Sequence, residues 1–393
     1  MRAAFERLVE VQEPLRYRFR HNSLGWRIEC AERETTRFVD ARRLPPVGED
    51  ELHAYLEADL GELLADVDLG RGPLLRARFY DRGADLPGVI VLAIHHFVYD
   101  STSFVPLTED LNAAFAGQAV PRPAGWRAWT RLLRAMATSD EVAGDLPYWE
   151  GVLTAGAATS PVAENGPGGA PAGLVHRSVA ADRVAARLAE SGPTGQHAAL
   201  AAAAVAWSRW RGEPDAFLST VGIGTAPNAL WPGDRTASVG WFTHLFPAHV
   251  RVPAGAAVAD ALPGVAATLR SVPHDGIGYG VLRHLSPETP AVARVRALRE
   301  PSLLVEHVPS GNDGLTRLGG AHVRPRPMSL VTLPDSMLTQ VPVVVESHVV
   351  GGALHLGVVH RGSVAAADME SLADHLVEAY VELAAAPAGP DHA

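Results

Sequence analysis

At Ile94-His95-His96-Phe97-Val98-Tyr99-Asp100-Ser101, two histidines stand side by side where a continuous apolar run, residues 89–94, comes to an end. The run has the length of a buried strand. A strand anchored in a core fixes an imidazole at its end, and histidine takes and returns a proton near neutrality. Successive strand side chains face opposite sides, so only one of the two rings can point into a given cleft. Asp100 can orient a ring or pair with an arginine to brace the loop, and spacing leaves both readings open. Taken alone, the pair fits an incidental structural role as well as a chemical one.

Working outward, Ala4, Leu8 and Val11 fall at helical spacing, predicting a helix over residues 3–11 that stops ahead of Pro14. Alternation predicts strands over 15–19 and 74–80, with a helix over 49–64 between them and a turn at Arg71-Gly72-Pro73. A helix over 103–115 follows the histidines. Residues 155–173, rich in Ala, Gly and Pro and containing Asn165-Gly166-Pro167-Gly168-Gly169, read as an interlobe linker. The expected organisation is therefore an N-terminal lobe, 1–154, and a C-terminal lobe, 174–393, both mixed α/β. In the second lobe we expect a strand over 174–179 and a helix opened by Thr194 and running to Trp210. Strands over 217–221 and 246–252 follow, then a hairpin of 341–350 and 353–360 around Gly351-Gly352, and an amphipathic helix over 365–383.

Composition narrows the chemistry. All 34 Lys+Arg residues of the 393 are arginine, which excludes lysine Schiff bases, a P-loop lysine and a Ser–Lys nucleophile. The single cysteine, Cys30, excludes an internal disulfide framework and a Cys-rich metal site. No metal is expected. A net charge of −10 argues against a nucleic-acid partner. No apolar run approaches a membrane span, and the first residues lack the apolar core of a signal peptide, so the expectation is a soluble, cytoplasmic monomer. Acid, base and nucleophile roles fall to 17 histidines, the carboxylates and the hydroxyls.

His95-His96-x-x-x-Asp100 resembles the HHxxxDG signature of the condensation domains of nonribosomal peptide synthetases, members of the wider chloramphenicol acetyltransferase-like superfamily. Further segments resemble the family's in order along nearly the whole chain. They include Leu8 to Phe19, Asp68 to Arg76, Tyr148-Trp149 with Leu153, Val239-Gly240-Trp241-Phe242-Thr243-His244-Leu245-Phe246-Pro247, and Gly276-Ile277-Gly278-Tyr279-Gly280-Val281-Leu282-Arg283. The resemblance implies a V-shaped pseudodimer of two chloramphenicol acetyltransferase-like lobes around a tunnel, entered from each side by the phosphopantetheine arm of a carrier protein. It implies His96 as the base or positioning residue, with His95 beside it. Asp100 becomes a largely structural residue partnered by an arginine, with Arg16 as the candidate. Trp241, Thr243, Gly276 and Tyr279 are expected along the tunnel. No bound cofactor is implied beyond the phosphopantetheine that presents the substrates.

Three departures bear on function. Ser101 stands where the motif has glycine, a position that gives a close backbone approach to the reacting carbonyl and an amide for the oxyanion. Met1 already lies in the first expected helix, so either the natural start is upstream or the chain is a trimmed variant, and a missing strand would expose a sheet edge. The second lobe resembles epimerization domains of the superfamily, yet Val221 occupies the place of their glutamate, which disfavours racemising chemistry because that needs a second acid/base.

Other candidates have plainer readings. His274, Asp275 and His284 read as a solvated turn. Gly276-x-Gly278-x-Gly280 lacks the spacing of a dinucleotide fingerprint. Trp241 and Phe242 suit core or tunnel wall equally, and His249 reads as outward-facing. Arg294, Arg296 and Arg299 read as a solvated helix face or a dock for an acidic carrier protein. The expected function is a free-standing condensation enzyme joining a carrier-bound acyl or aminoacyl group to an amine or alcohol. The rivals are a non-catalytic relative that recruits enzymes to a carrier protein, and a coenzyme A-dependent acyltransferase.

Overall fold

The computed structural model describes residues 1–23, 25–35, 37–120, 122–123, 125–166, 170–180, 184, 188, 195–225, 230, 233, 235–308, 317–318, 321–322, 341–350 and 353–385. Its strands in chain order are β1 Tyr17–Asn22, β2 Gly25–Cys30, β3 Val39–Arg43, β4 Leu75–Asp81, β5 Val89–Ile94, β6 Gly173–Ala180, β7 Asp215–Ile223, β8 Thr243–Arg251, β9 Leu303–Val308, β10 Arg317–Leu318, β11 Ala321–His322, β12 Val343–Val350 and β13 Ala353–His360. Among the described residues β6-β13-β12-β9-β7-β8 form one six-stranded mixed sheet, β3-β4-β5 form a three-stranded one, and β1-β2 and β10-β11 are two-stranded.

The larger sheet is built on β-branched runs that bury one face against helices Gln196–Arg211 and Ala366–Ala385. Ala198 to Ala206 are all buried, and the alanines among them let the helix backbone approach the sheet and its helical neighbours closely. In the N-terminal half, helix Arg2–Val11 buries Phe5, Leu8 and Val9 against the core that also holds Leu74, Leu75 and Ala77 of the β4 region.

On the other side of the three-stranded sheet, β4 places arginines where hydrophobic residues would be usual. Arg78 is buried and pairs with Asp40 (2.7 Å) and Asp59 (2.8 Å), so its charge is neutralised within the layer between the sheet and helix Glu49–Ala65.

The helices expected over 3–11, 49–64 and 103–115 occur as Arg2–Val11, Glu49–Ala65 and Phe104–Phe115, and β5 has the bounds expected. The strand expected over 15–19 begins two residues late. A 3₁₀ turn, Glu13–Arg16, with Pro14 near its start, comes before the chain extends. Thr194 and the Gly351-Gly352 turn lie outside the described residues. The linker does not hang free in its described part. Gly166 N–H donates to Ser363 O (2.8 Å) and Arg361 pairs with Glu164 (3.0 Å).

Helices Trp126–Met136 and Leu146–Ala157, the second running through Ala157 into the segment expected as linker, share a core with Phe217, Phe242 and Phe246 of the C-terminal half. A second stitch joins the halves: Gln12, fully buried, donates to Asp110 (2.7 Å) and Ala237 O (3.2 Å) and accepts from Val239 N–H (3.0 Å). The segment 237–243 is thus the seam on which the N-terminal half is seated. Among the described residues no helix is long and apolar enough to cross a membrane.

Candidate active site

The two histidines part company because the strand ends between them. His95 N–H donates to Leu74 O (2.9 Å), prolonging the β4–β5 ladder by one residue. The chain then turns into a short 3₁₀ helix, His96–Val98, and His95 caps it: Nδ1 accepts the Phe97 N–H (3.1 Å). That bond fixes the ring with its proton on Nε2, and burial, with the neighbouring His96, holds His95 below the ordinary histidine range. His96, free of that duty, is exposed, and its ring lies on Trp241 (centroids 4.4 Å apart).

Asp100 is 1% exposed and accepts six hydrogen bonds. Its Oδ1 takes Ser103 N–H (3.1 Å), Ser103 Oγ (2.9 Å) and Thr102 Oγ1 (2.7 Å). Its Oδ2 takes Phe242 N–H (2.8 Å), Thr243 N–H (2.9 Å) and Thr243 Oγ1 (3.0 Å) across the seam. The carboxylate therefore clips the histidine loop to the other half of the molecule.

Arg16, expected as its partner, is elsewhere. Its guanidinium donates to Val9 O (2.9 Å), Ala31 O (3.1 Å) and Glu32 O (2.9 Å), closing the end of the first helix against the residues after β2. The expectation fails because backbone amides and hydroxyls already surround both carboxylate oxygens. Ser101 begins the next 3₁₀ turn with a negative φ, so the serine side chain sits there without backbone strain.

Trp241 and Thr243 line a cavity of about 450 Å³ beside His96. Tyr279 and Gly276 do not. Tyr279 is buried against Trp149 (centroids 5.2 Å apart), with its hydroxyl donating to Glu300 (2.9 Å). Gly276 is a buried turn residue at φ 88°, with the Phe246 ring packed where a side chain would project. Both are corrected to packing residues. The glycine-rich segment is a helix start, and its inward face meets the core. The cavity instead receives Ile277, Gly280, Val281 and His284 from that helix.

His274 is not a solvated turn residue either. It pairs with buried Asp145 (2.9 Å). His249 is half-buried, 3.6 Å from Asp215. Of the arginine cluster, Arg294 pairs with Glu150 (2.9 Å), while Arg296 and Arg299 donate to backbone carbonyls, among them Ser286 O (2.8 Å) and Thr159 O (2.7 Å). Two of the three are structural.

Glu306 and Glu346 escaped the sequence reading. They are register partners on parallel β9 and β12, half-buried on one face of the large sheet. Burial, and then the Asp100 charge, pushes Glu306 above the ordinary carboxylate range. Burial, and then Glu306, pushes Glu346 up to about 7, against a weaker pull from His96. A carboxyl poised there can hold or release a proton at neutral pH. Their signal was a lone carboxylate inside each of two strands that open on apolar runs. Among the described residues no group of three or more His, Cys, Asp or Glu is arranged to hold a metal ion.

Two mixed α/β lobes meeting at a seam, with a histidine offered from a strand end beside a cavity, define a protein of the chloramphenicol acetyltransferase-like fold. The chain belongs to the condensation domain family, whose model matches residues 1–301. It is 30% identical over 256 residues to a linear gramicidin synthase polypeptide of Brevibacillus parabrevis, covering 61% of this chain and 5% of that synthase. To the chondramide synthase of Chondromyces crocatus it is 28% identical over 303 residues, covering 72% of this chain and 8% of that one. It thus spans a small fraction of the length of either relative.

Among solved structures, the epimerization domain of the third module of tyrocidine synthetase B superposes with a TM-score of 0.77 at 18% identity, covering 98% of this chain and 87% of that one. SgcC5 from Streptomyces globisporus superposes at 0.73 with 20% identity, covering 96% and 88%.

Proposed function

We propose that this protein is an acyltransferase of the condensation type, joining an acyl or aminoacyl group held on a carrier protein's phosphopantetheine to an amine or alcohol. The observation that carries the reading is the exposed His96 ring, presented on a loop that Asp100 clips across the seam. An imidazole so placed takes the proton from the attacking amine or hydroxyl as the carbon–nitrogen or carbon–oxygen bond forms, and returns it to the departing pantetheine thiolate. Exposure lets substrate reach the ring, while the clip keeps the loop from drifting, so the orientation is set before substrate arrives. His95, committed to its own cap, orients the turn and does not touch substrate.

Family membership supports the reaction class, and the arrangement of His96, Trp241 and Asp100 supports its location. The test is intact-mass spectrometry of an acyl-loaded carrier protein incubated with this protein and an amine or alcohol acceptor. Loss of the acyl mass with appearance of amide or ester is the expected result. Turnover of acyl-coenzyme A without a carrier, or no transfer from any loaded carrier, would contradict it.

A further inference from the structure

The cavity beside His96 has an unusual wall. Phe19 and Phe97, with centroids 5.5 Å apart, face Trp126, Trp129 and Trp241, and Val281 adds to the far side. The polar atoms of this wall are largely turned inward. Trp126 Nε1 donates to Trp241 O (2.9 Å), Trp241 Nε1 to Thr243 O (2.8 Å), and Thr243 Oγ1 to Asp100 (3.0 Å). His244 Nε2 is bonded to Asp275 O (2.8 Å), while its Nδ1 is buried without a partner and leaves one place for a polar contact. Burial holds both His244 and His284 below the ordinary histidine range. At the rim Phe97 is 43% and Leu285 46% exposed, apolar surface left in water unless something covers it. The volume, about 450 Å³, is that of a small-molecule subsite.

We infer that this cavity is the subsite for an uncharged hydrophobic group, best an aromatic ring, carried by one of the two substrates joined at His96. The inference rests on the proposed transfer reaction. Its geometric warrant is proximity, since Trp241 both lines the cavity and packs against the His96 ring, and Phe97, next to His96 in the chain, lines it too. A ring seated among these aromatic faces leaves its attached carbonyl or amine at the imidazole, with no charged group to desolvate.

Gly280 supplies the test. It lies on the cavity side of helix Ile277–His284, and a side chain grown from it meets nothing within 4 Å. Binding of phenylacetyl-pantetheine against acetyl-pantetheine, and of phenethylamine against ethylamine, is followed by quenching of tryptophan fluorescence. The phenyl member of one pair should bind about tenfold tighter or better, and the pair that does so identifies the donor or the acceptor as the source. Gly280→Leu should bring that preference toward unity, as should Leu285→Arg at the exposed rim. No preference in either pair, or a preference that survives both substitutions, overturns the inference. A preference that is present while no loaded carrier yields product upholds the subsite and refutes the transfer reading instead.

Discussion

Removing the Asp100 carboxylate should unfasten the two halves at the place where the candidate base is held. Asp100→Ala leaves two backbone N–H groups, those of Phe242 and Thr243, without their acceptor in a site that is 1% exposed, while Ser103 N–H keeps the Asp100 backbone carbonyl (3.0 Å). The hydroxyls of Thr102, Ser103 and Thr243 can turn to other partners, and the single Ser103 hydroxyl proton has Gly240 O within reach, 2.8 Å from Oγ. The two amides cannot turn.

At about 1–3 kcal/mol for each orphaned buried donor, the loss is about 2–6 kcal/mol, and water entering the vacated space brings it toward the lower end of that range. Asp100→Asn should cost less, about 1–3 kcal/mol. Its carbonyl can serve Phe242 and Thr243 while its NH₂ faces the two rotatable hydroxyls, and the Ser103 amide is left with the backbone carbonyl of residue 100 alone. The assay is urea denaturation followed by tryptophan fluorescence, read as the shift in midpoint at constant slope. A midpoint for Asp100→Ala close to that of the unsubstituted protein, or an Asn variant weaker than the Ala variant, would refute the role of Asp100 as the clip.

Two other substitutions bear on the frame around the site. Glu346 charges near its ordinary 4.5 when unfolded but only at about 7 in the fold, so stability should be full below the first value and fall as pH rises through the second. Glu346→Gln should flatten that fall by about 2 kcal/mol after allowance for partial exposure, which denaturation midpoints at pH 5 and pH 8 will measure; parallel curves would contradict it. Gly276→Ala meets both a φ of 88° and the Phe246 ring, so a loss of about 2–4 kcal/mol is expected in the same denaturation assay, against no change if the turn merely lines a tunnel.

What the sequence made legible is local. The apolar run of residues 89–94 announced β5 and the place where its histidines emerge, and the β-branched tail announced β12 and β13. The partner of Asp100 was not legible. It is a pair of backbone amides 142 and 143 residues away, and main-chain donors carry no side-chain signature. Arg16 looked suitable because guanidinium is the obvious side-chain match for a carboxylate, yet nearby carbonyls claimed it. Tyr279 and Gly276 were misplaced for a different reason. A motif fixes which residues occur together but not which face of a short helix meets the core. The pairing of Glu306 with Glu346 needed the parallel register of two strands distant in sequence.

The central claim is that His96 carries the proton in acyl transfer from a carrier protein. Its most direct test compares the unsubstituted protein with His96→Ala by intact-mass spectrometry of an acyl-loaded carrier in the presence of an acceptor amine. The expected result is a loss of about 10²-fold or more in the rate of amide appearance, with an unchanged denaturation midpoint because the ring is exposed. Amide formed by His96→Ala at the rate of the unsubstituted protein would contradict it.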